Sequence, residues 1–188
     1  MEFKKNIDEK ITKELKEKLK VKSIMAVPKV VKINVNMSSR EFLKDRKNID
    51  KAIEDLVLIT GQKPKISKAR TSIATFKLRE GDKIGLSTTL RGKRMYDFLE
   101  KLIKIVFPRV KDFSGVDLKA FDGRGNISVG FNEHIVFPEI DPGRVETLRS
   151  LQVTIVTNAG DDVKAKVLLE TIGVPFKKDK KEEVESKN

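Results

Sequence analysis

In two stretches of the chain, side chains typical of a buried core alternate with polar side chains typical of a solvent-exposed face. In residues 28–37 the core-type side chains are Val31, Ile33, Val35 and Met37, and the polar ones are Lys32, Asn34 and Asn36. In residues 83–91 the two sets are Ile84, Leu86, Thr88 and Leu90 against Ser87, Thr89 and Arg91. Successive side chains of a strand point to opposite faces. Each stretch therefore predicts a strand with one buried face and one polar face.

Helical spacing of apolar residues predicts four helices around these strands. They cover residues 2–20, 46–60, 93–106 and 161–172. Gly61 and Gly173 are placed to end the second and fourth helices, and Pro108 to end the third. Further strands are predicted at 71–78, 127–131 and 151–157, whereas the basic segment 62–70 is predicted to be a turn.

These elements predict an α+β fold, with a mostly antiparallel sheet, helices packed on one face and an RNA-binding polar face on the other. Strands joined by the short turns of residues 64–91 must pair antiparallel, and the chain lacks the spacing of a doubly wound sheet. We expect one domain over residues 21–176, an amphipathic helix at 1–20 docked on it, and a disordered charged tail at 177–188.

The amino-acid composition excludes several classes of function and favours one class of partner. The chain has no Cys, which excludes disulfides, cysteine zinc sites and thiol catalysis and favours the cytoplasm. No metal or cofactor is predicted. Lys and Arg exceed Asp and Glu by 40 to 28, a net charge of +12, so a polyanion is the expected partner. No membrane partner is expected, because the chain has no long apolar run and its first twenty residues carry several acids.

The polar sheet face is the strongest candidate site. It combines amides, hydroxyls and cations, which suit phosphates, ribose hydroxyls and base edges. Its predicted members are Lys32, Asn34, Asn36, Ser87, Thr89 and Arg91. A second basic set lies in neighbouring loops: Lys63, Lys65, Lys68, Arg70, Lys93 and Arg94. The alternatives are an ordinary solvated face and the loops of a generally basic protein. Because most Phe residues fall at core positions, duplex-rich RNA is favoured over single strands.

Catalytic motifs are weak. The segment FDGRGN (121–126) lacks the context of a dinucleotide-binding loop. His134, beside Glu133, is the single histidine and leaves a hydrolase as an alternative, although a structural role is more common. Asp161 and Asp162 open a helix, where capping is favoured over metal binding.

Seven segments occur in a specific order: VPKVVKINVNM (27–37), LITGQKP (58–64), SIATFKLREGDKIG (72–85), TLRGKRMYDFL (89–99), PRVKDF (108–113), FDGRGN (121–126) and FPEID (137–141). In order and spacing they resemble the bacterial ribosomal protein L5 family, from about residue 20 to residue 176. One departure is Ser38-Ser39-Arg40, where that family has a Gly-rich continuation.

The resemblance implies a cytoplasmic, ribosome-bound protein of the large subunit that binds 5S rRNA in the central protuberance. It implies 23S rRNA and ribosomal proteins L18 and L25 as further partners. Carried over by motif, the RNA-binding residues are Asn36, Gln62 and Thr89. It also implies a contact to P-site tRNA through a loop carrying Thr75, Lys77, Arg79 and Lys83, and a bridge to small-subunit protein S13 from residues 110–145. An RNA chaperone acting off the ribosome remains an alternative.

Overall fold

The computed structural model describes residues 11–21, 23–39, 42 and 46–177, and within them five strands form one antiparallel sheet. The strands are β1 (Val30–Ser38), β2 (Lys65–Lys68), β3 (Lys83–Leu90), β4 (Ile127–Phe131) and β5 (Leu151–Thr157). Their order across the sheet is β2-β3-β1-β5-β4. Strand β1 therefore lies at the centre; Val31, predicted to lie on its buried face, is 40% exposed beside a register shift between Val30 and Lys32.

The helices are α1 (Thr12–Lys18), α2 (Arg46–Thr60), α3 (Gly92–Lys101) and α4 (Asp162–Ile172). A π-helical segment, Leu102–Val106, and a last turn, Phe107–Arg109, continue α3. Short 3-10 turns lie at Ile24–Ala26, Ala74–Phe76, Leu118–Ala120, His134–Val136 and Pro142–Arg144.

One sheet face forms the core. Ile33 pairs with Leu90 on one side and with Ile155 on the other, and Ile155 pairs with Ile127. All four side chains are buried, together with helix residues such as Leu99. Burying one large aliphatic side chain contributes about 1.5–3 kcal/mol. This arrangement confirms the predicted fold class.

The sequence prediction was wrong between α2 and β3. Residues 71–78 are not a strand, and β2 lies inside the segment predicted to be a turn. The reason is a local closure, in which Ile73 and Leu78 each donate an N–H to the other's carbonyl, at 3.0 and 3.1 Å. A strand would have offered those groups to a neighbour. Lys77, with a φ of 52°, turns the chain within this closure.

The predicted helix ends are confirmed at two glycines, but the third helix, predicted over residues 93–106, continues through Pro108 and ends three residues later than predicted. Gly61 and Gly173 take φ values of 66° and 109°, which most other residues avoid. The helical turn containing Pro108 ends at Arg109. Asp161 caps α4 by accepting the N–H of Val163.

The predicted terminal segments are only partly described. Of the helix predicted at 1–20, residues 1–10 lie outside the described part, and α1 packs through buried Leu15. Of the predicted disordered tail, residues 178–188 lie outside it, while Lys177 donates its N–H to the carbonyl of Val116 at 3.0 Å.

Candidate nucleic-acid interface

The sheet face opposite the core, which we call the polar face, spans all five strands. Rows of cross-strand partners define it, such as Lys65–Ser87–Asn36–Gln152–Gly130 and Thr89–Asn34–Thr154–Ser128. Lys32 with its partner Val156, and Ser38, Ser67 and Gly85, also lie on this face. None of these residues is acidic. A surface of donors, acceptors and cations without carboxylates is suited to a phosphate-rich ligand.

Four of the predicted residues form a connected network on this face. The Thr89 hydroxyl donates to Oδ1 of Asn34 at 3.0 Å. Nε2 of Gln62 donates to the Thr89 carbonyl at 3.3 Å, and a guanidinium nitrogen of Arg94 lies 3.5 Å from Oε1 of Gln62. Within the described residues, the Asn34 amide N–H₂ and a Thr89 lone pair remain for a ligand. The network therefore orients these groups without using up their hydrogen-bonding capacity.

The end of α2 places Gln62 at this network. Gly61 turns the chain in the left-handed region. The Thr60 hydroxyl donates to the carbonyl of Leu56 at 2.6 Å and accepts the N–H of Gln62 at 3.3 Å. Since Thr60 is buried, these bonds fix the direction in which Gln62 leaves the helix.

Asn36 lies one row along from the network. Its cross-strand partners are Ser87 and Gln152, and its side chain is exposed. Residues two apart on a strand are separated by roughly 6.5–7 Å. Asn36, Gln62 and Thr89 therefore share one part of the polar face, and their role in RNA binding stays a prediction.

The sequence interpretation missed the β4–β5 half of the face. Gln152 is exposed there, and the hydroxyls of Ser128 and Thr154 lie 2.9 Å apart. The signal was present, because Gln152 and Thr154 alternate with buried Leu151, Val153 and Ile155. That pattern was used to predict a strand but not to extend the polar face.

The predicted cations border the face. Lys63, Lys65, Lys68 and Arg70 are exposed along β2 and its ends, and Arg91, Lys93 and Arg94 are exposed at the start of α3. Lys32 is half-buried on β1. Lys68 is also the cross-strand partner of Lys83. Like charges opposite each other are unfavourable, so an anion bound at this position would relieve their repulsion.

The loop between β2 and β3 carries the residues predicted to face tRNA. Thr75, Lys77 and Arg79 are exposed, and Lys83 is half-buried at the start of β3. Asp82 accepts the backbone N–H of Arg79 at 2.8 Å. Ser72 accepts the N–H of Glu80 at 2.9 Å. The side chains of Ser72 and Asp82 therefore hold the two arms of this loop in place.

The FDGRGN segment is a structural loop. Both oxygens of Asp162 accept backbone N–H groups from it, those of Gly123 at 3.1 Å and Gly125 at 2.7 Å. Hydrogen bonds from the Asn126 amide and the Arg124 N–H hold the pKa of Asp122 below its ordinary value. The N–H groups that a phosphate would need are therefore already bound by a carboxylate.

His134 is fully buried, which removes it as a candidate catalyst. Its Nδ1 accepts the N–H of Arg149 at 3.2 Å, and its Nε2 lies 3.5 Å from Oδ2 of Asp55. Its neighbour Glu133 is exposed. A histidine that no substrate can reach does not support the hydrolase hypothesis.

Within the described ranges, no cluster of three or more His, Asp or Glu side chains could hold a metal ion. Across those same ranges no helix combines the length and apolar character needed to cross a bilayer.

The class that fits this fold and this face is a structural RNA-binding protein. Two family models match the chain, one described as ribosomal protein L5 over residues 23–79 and one as the C-terminus of the same ribosomal protein family over residues 83–176. The chain belongs to the ribosomal protein L5 family. It is therefore a structural, rRNA-binding component of the large ribosomal subunit that serves translation.

Both matched regions contribute to the polar face. Asn34 and Gln62 lie in the first region, and Thr89 and Arg94 lie in the second. The boundary between the regions falls at the end of the β2–β3 loop. The network therefore joins the two regions across the central strand pair.

Proposed function

We propose that this protein binds 5S rRNA through its polar face, in the central protuberance of a cytoplasmic ribosome. The observation that carries the proposal is the acid-free face across all five strands. Its partners in this proposal include 23S rRNA and ribosomal proteins L18 and L25.

The shape of the face suits a duplex. The A-form minor groove is wide and shallow and displays ribose 2′-hydroxyls. Five strands at about 4.8 Å spacing give a surface close to 20 Å wide. Amides and hydroxyls on that surface would set the register, with Asn36, Gln62 and Thr89 at its centre. Lys63, Lys65 and Lys68 at the β2 edge would supply affinity for phosphates.

A competition assay tests this proposal directly. Labelled 5S rRNA is bound to the full chain, and unlabelled 5S rRNA is compared with an unrelated duplex of equal length as competitor. We expect 5S rRNA to compete at least about tenfold better at moderate salt, because nonspecific phosphate binding weakens steeply with salt. Equal competition at every salt concentration would contradict the proposal.

The β4–β5 half of the face should contribute to the same binding. Thr154→Ala removes one hydroxyl and its contact with Ser128. We expect 5S rRNA affinity to fall about threefold to tenfold, the worth of one hydrogen bond. Thr171→Ala is the matched control, since its hydroxyl bonds Val167 within α4. If the two variants bind equally, the β4–β5 half lies outside the interface.

A contact with P-site tRNA through the β2–β3 loop forms the second part of the proposal. Its support is an exposed loop with Lys77 and Arg79, held in place by Ser72 and Asp82. Residues 62–79 contain no acid, so this side of the molecule favours an anionic partner.

A bridge to small-subunit protein S13 from residues 110–145 forms the third part. A cleft of about 700 Å³ lies between Arg109–Lys111 and Asn132–Pro142. Its walls include Val110 and Ile140, and its charges are of both signs. Apolar walls with mixed charges are typical of protein interfaces, in contrast to the acid-free polar face.

A further inference from the structure

Phe76 differs from the other phenylalanines that the structure describes. It is 60% exposed, at the tip of the β2–β3 loop. The other eight within the described ranges are buried or half-buried, and several pair ring to ring, as Phe107 does with Phe113 and Phe121 with Phe176. An exposed Phe forgoes the stabilisation that burial supplies, and its ring at this tip is accessible to a partner.

The loop holds Phe76 in a defined position. The Phe76 N–H donates to the carbonyl of Ile73 at 3.2 Å, within the closure that Ile73 and Leu78 make. Ile73, the residue just before this 3-10 turn, is itself 41% exposed. This tight turn therefore carries two exposed apolar side chains, Ile73 and Phe76.

The positive charge near Phe76 indicates what kind of partner it would bind. Residues 62–79 hold six cations and no acid, and the two acids of the loop, Glu80 and Asp82, follow at its β3 end; the six cations are Lys63, Lys65, Lys68, Arg70, Lys77 and Arg79. Lys77 follows Phe76 directly. A partner that is polyanionic and also offers a flat apolar surface is an RNA with an unstacked base, because every base has a π-face that an aromatic ring can cover.

We propose that Phe76 stacks on an unpaired nucleobase of the RNA that this loop meets. The inference rests on the tRNA contact proposed above and names stacking as its chemistry. Lys77 and Arg79 bind the flanking phosphates, and the ring covers one base in a loop or bulge. A fully paired helix would offer no such base.

The test uses large subunits that lack this protein and are refilled with the full chain or its variants, with deacylated tRNA as the probe. Phe76→Ala is expected to weaken P-site tRNA binding about 5- to 150-fold, the range for loss of one aromatic–base stack. Phe76→Trp should keep the affinity, and Phe76→Leu should lose it as Ala does. Leu148→Ala, at a residue 55% exposed elsewhere, is the control and should have no effect.

A second variant separates this inference from the proposed contact. If Lys77→Ala/Arg79→Ala weakens tRNA binding while Phe76→Ala does not, the contact stands and stacking is overturned. If Phe76→Leu binds like the wild type, the ring makes only an apolar contact, and stacking is again overturned. If neither Phe76→Ala nor the double variant changes tRNA affinity, the contact and the inference both fail. The melting temperature and 5S rRNA affinity of Phe76→Ala should stay unchanged.

Discussion

Replacing Asn36, Gln62 and Thr89 together by Ala is expected to weaken 5S rRNA binding by about 10- to 1,000-fold. Each lost hydrogen bond is worth about 0.5–1.5 kcal/mol. The triple variant also removes the bonds that orient Asn34 and Arg94. Filter binding at moderate salt measures the change, and a circular-dichroism melt checks the fold, which should persist because none of the three belongs to the core.

The salt dependence of binding supplies the control. The three replaced side chains are neutral, so the slope of log K against log salt should stay the same as in the wild type. Lys63→Ala/Lys65→Ala/Lys68→Ala should instead reduce that slope by about 2–3 units, at roughly 0.7–0.9 per phosphate. Unchanged affinity of the triple amide–hydroxyl variant would contradict the assignment of Asn36, Gln62 and Thr89 to the RNA-binding site. A slope that changes in that variant would mean that it displaces the neighbouring lysines.

Local alternation was enough to predict the polar face at β1 and β3. The period of two assigned Asn34 and Asn36 to one face and Ile33 and Val35 to the other, and the structure places them so. The partners across strands could not be predicted in this way. Thr89 and Asn34 are 55 residues apart, and their hydrogen bond depends on a register that the whole sheet sets.

The segment between α2 and β3 shows where local patterns fail. The four residues of β2 include two lysines, so their intrinsic strand preference is weak. Residues 71–78 have stronger strand formers, yet Ile73 and Leu78 bond each other and leave Phe76 exposed. Strand preference depends on the presence of a neighbouring strand and a core, which the local sequence does not reveal.

The buried polar cluster around His134 could not be predicted from the sequence either. Asp55 lies on α2, while Arg149 lies just before β5, and 94 residues separate them. A single histidine beside Glu133 suggested that carboxylate as its partner. In the folded protein the neighbouring carboxylate is that of Asp55, and Glu133 is exposed.

Asp55→Ala is expected to lower the free energy of unfolding by about 3 kcal/mol, at the lower end for breaking a buried ion pair. The Arg149 side chain is 4% exposed and donates to Oδ2 of Asp55 at 2.7 Å. Among the described residues its Nε has no hydrogen-bond partner. Removing the carboxylate, which is itself 21% exposed, leaves a guanidinium inside the protein without its counter-charge. Urea unfolding at neutral pH measures the loss.

Two comparisons show whether that loss comes from the unpaired charge. Glu146→Ala breaks an exposed pair with Lys51, which holds the pKa of Glu146 below its ordinary value, and stability should hardly change because water screens such pairs. Asp55→Leu/Arg149→Met removes both buried charges and should recover much of the stability lost in Asp55→Ala. If the double variant were less stable than Asp55→Ala, Arg149 would be stabilising the fold by its packing. The penalty would then not lie in an isolated buried charge.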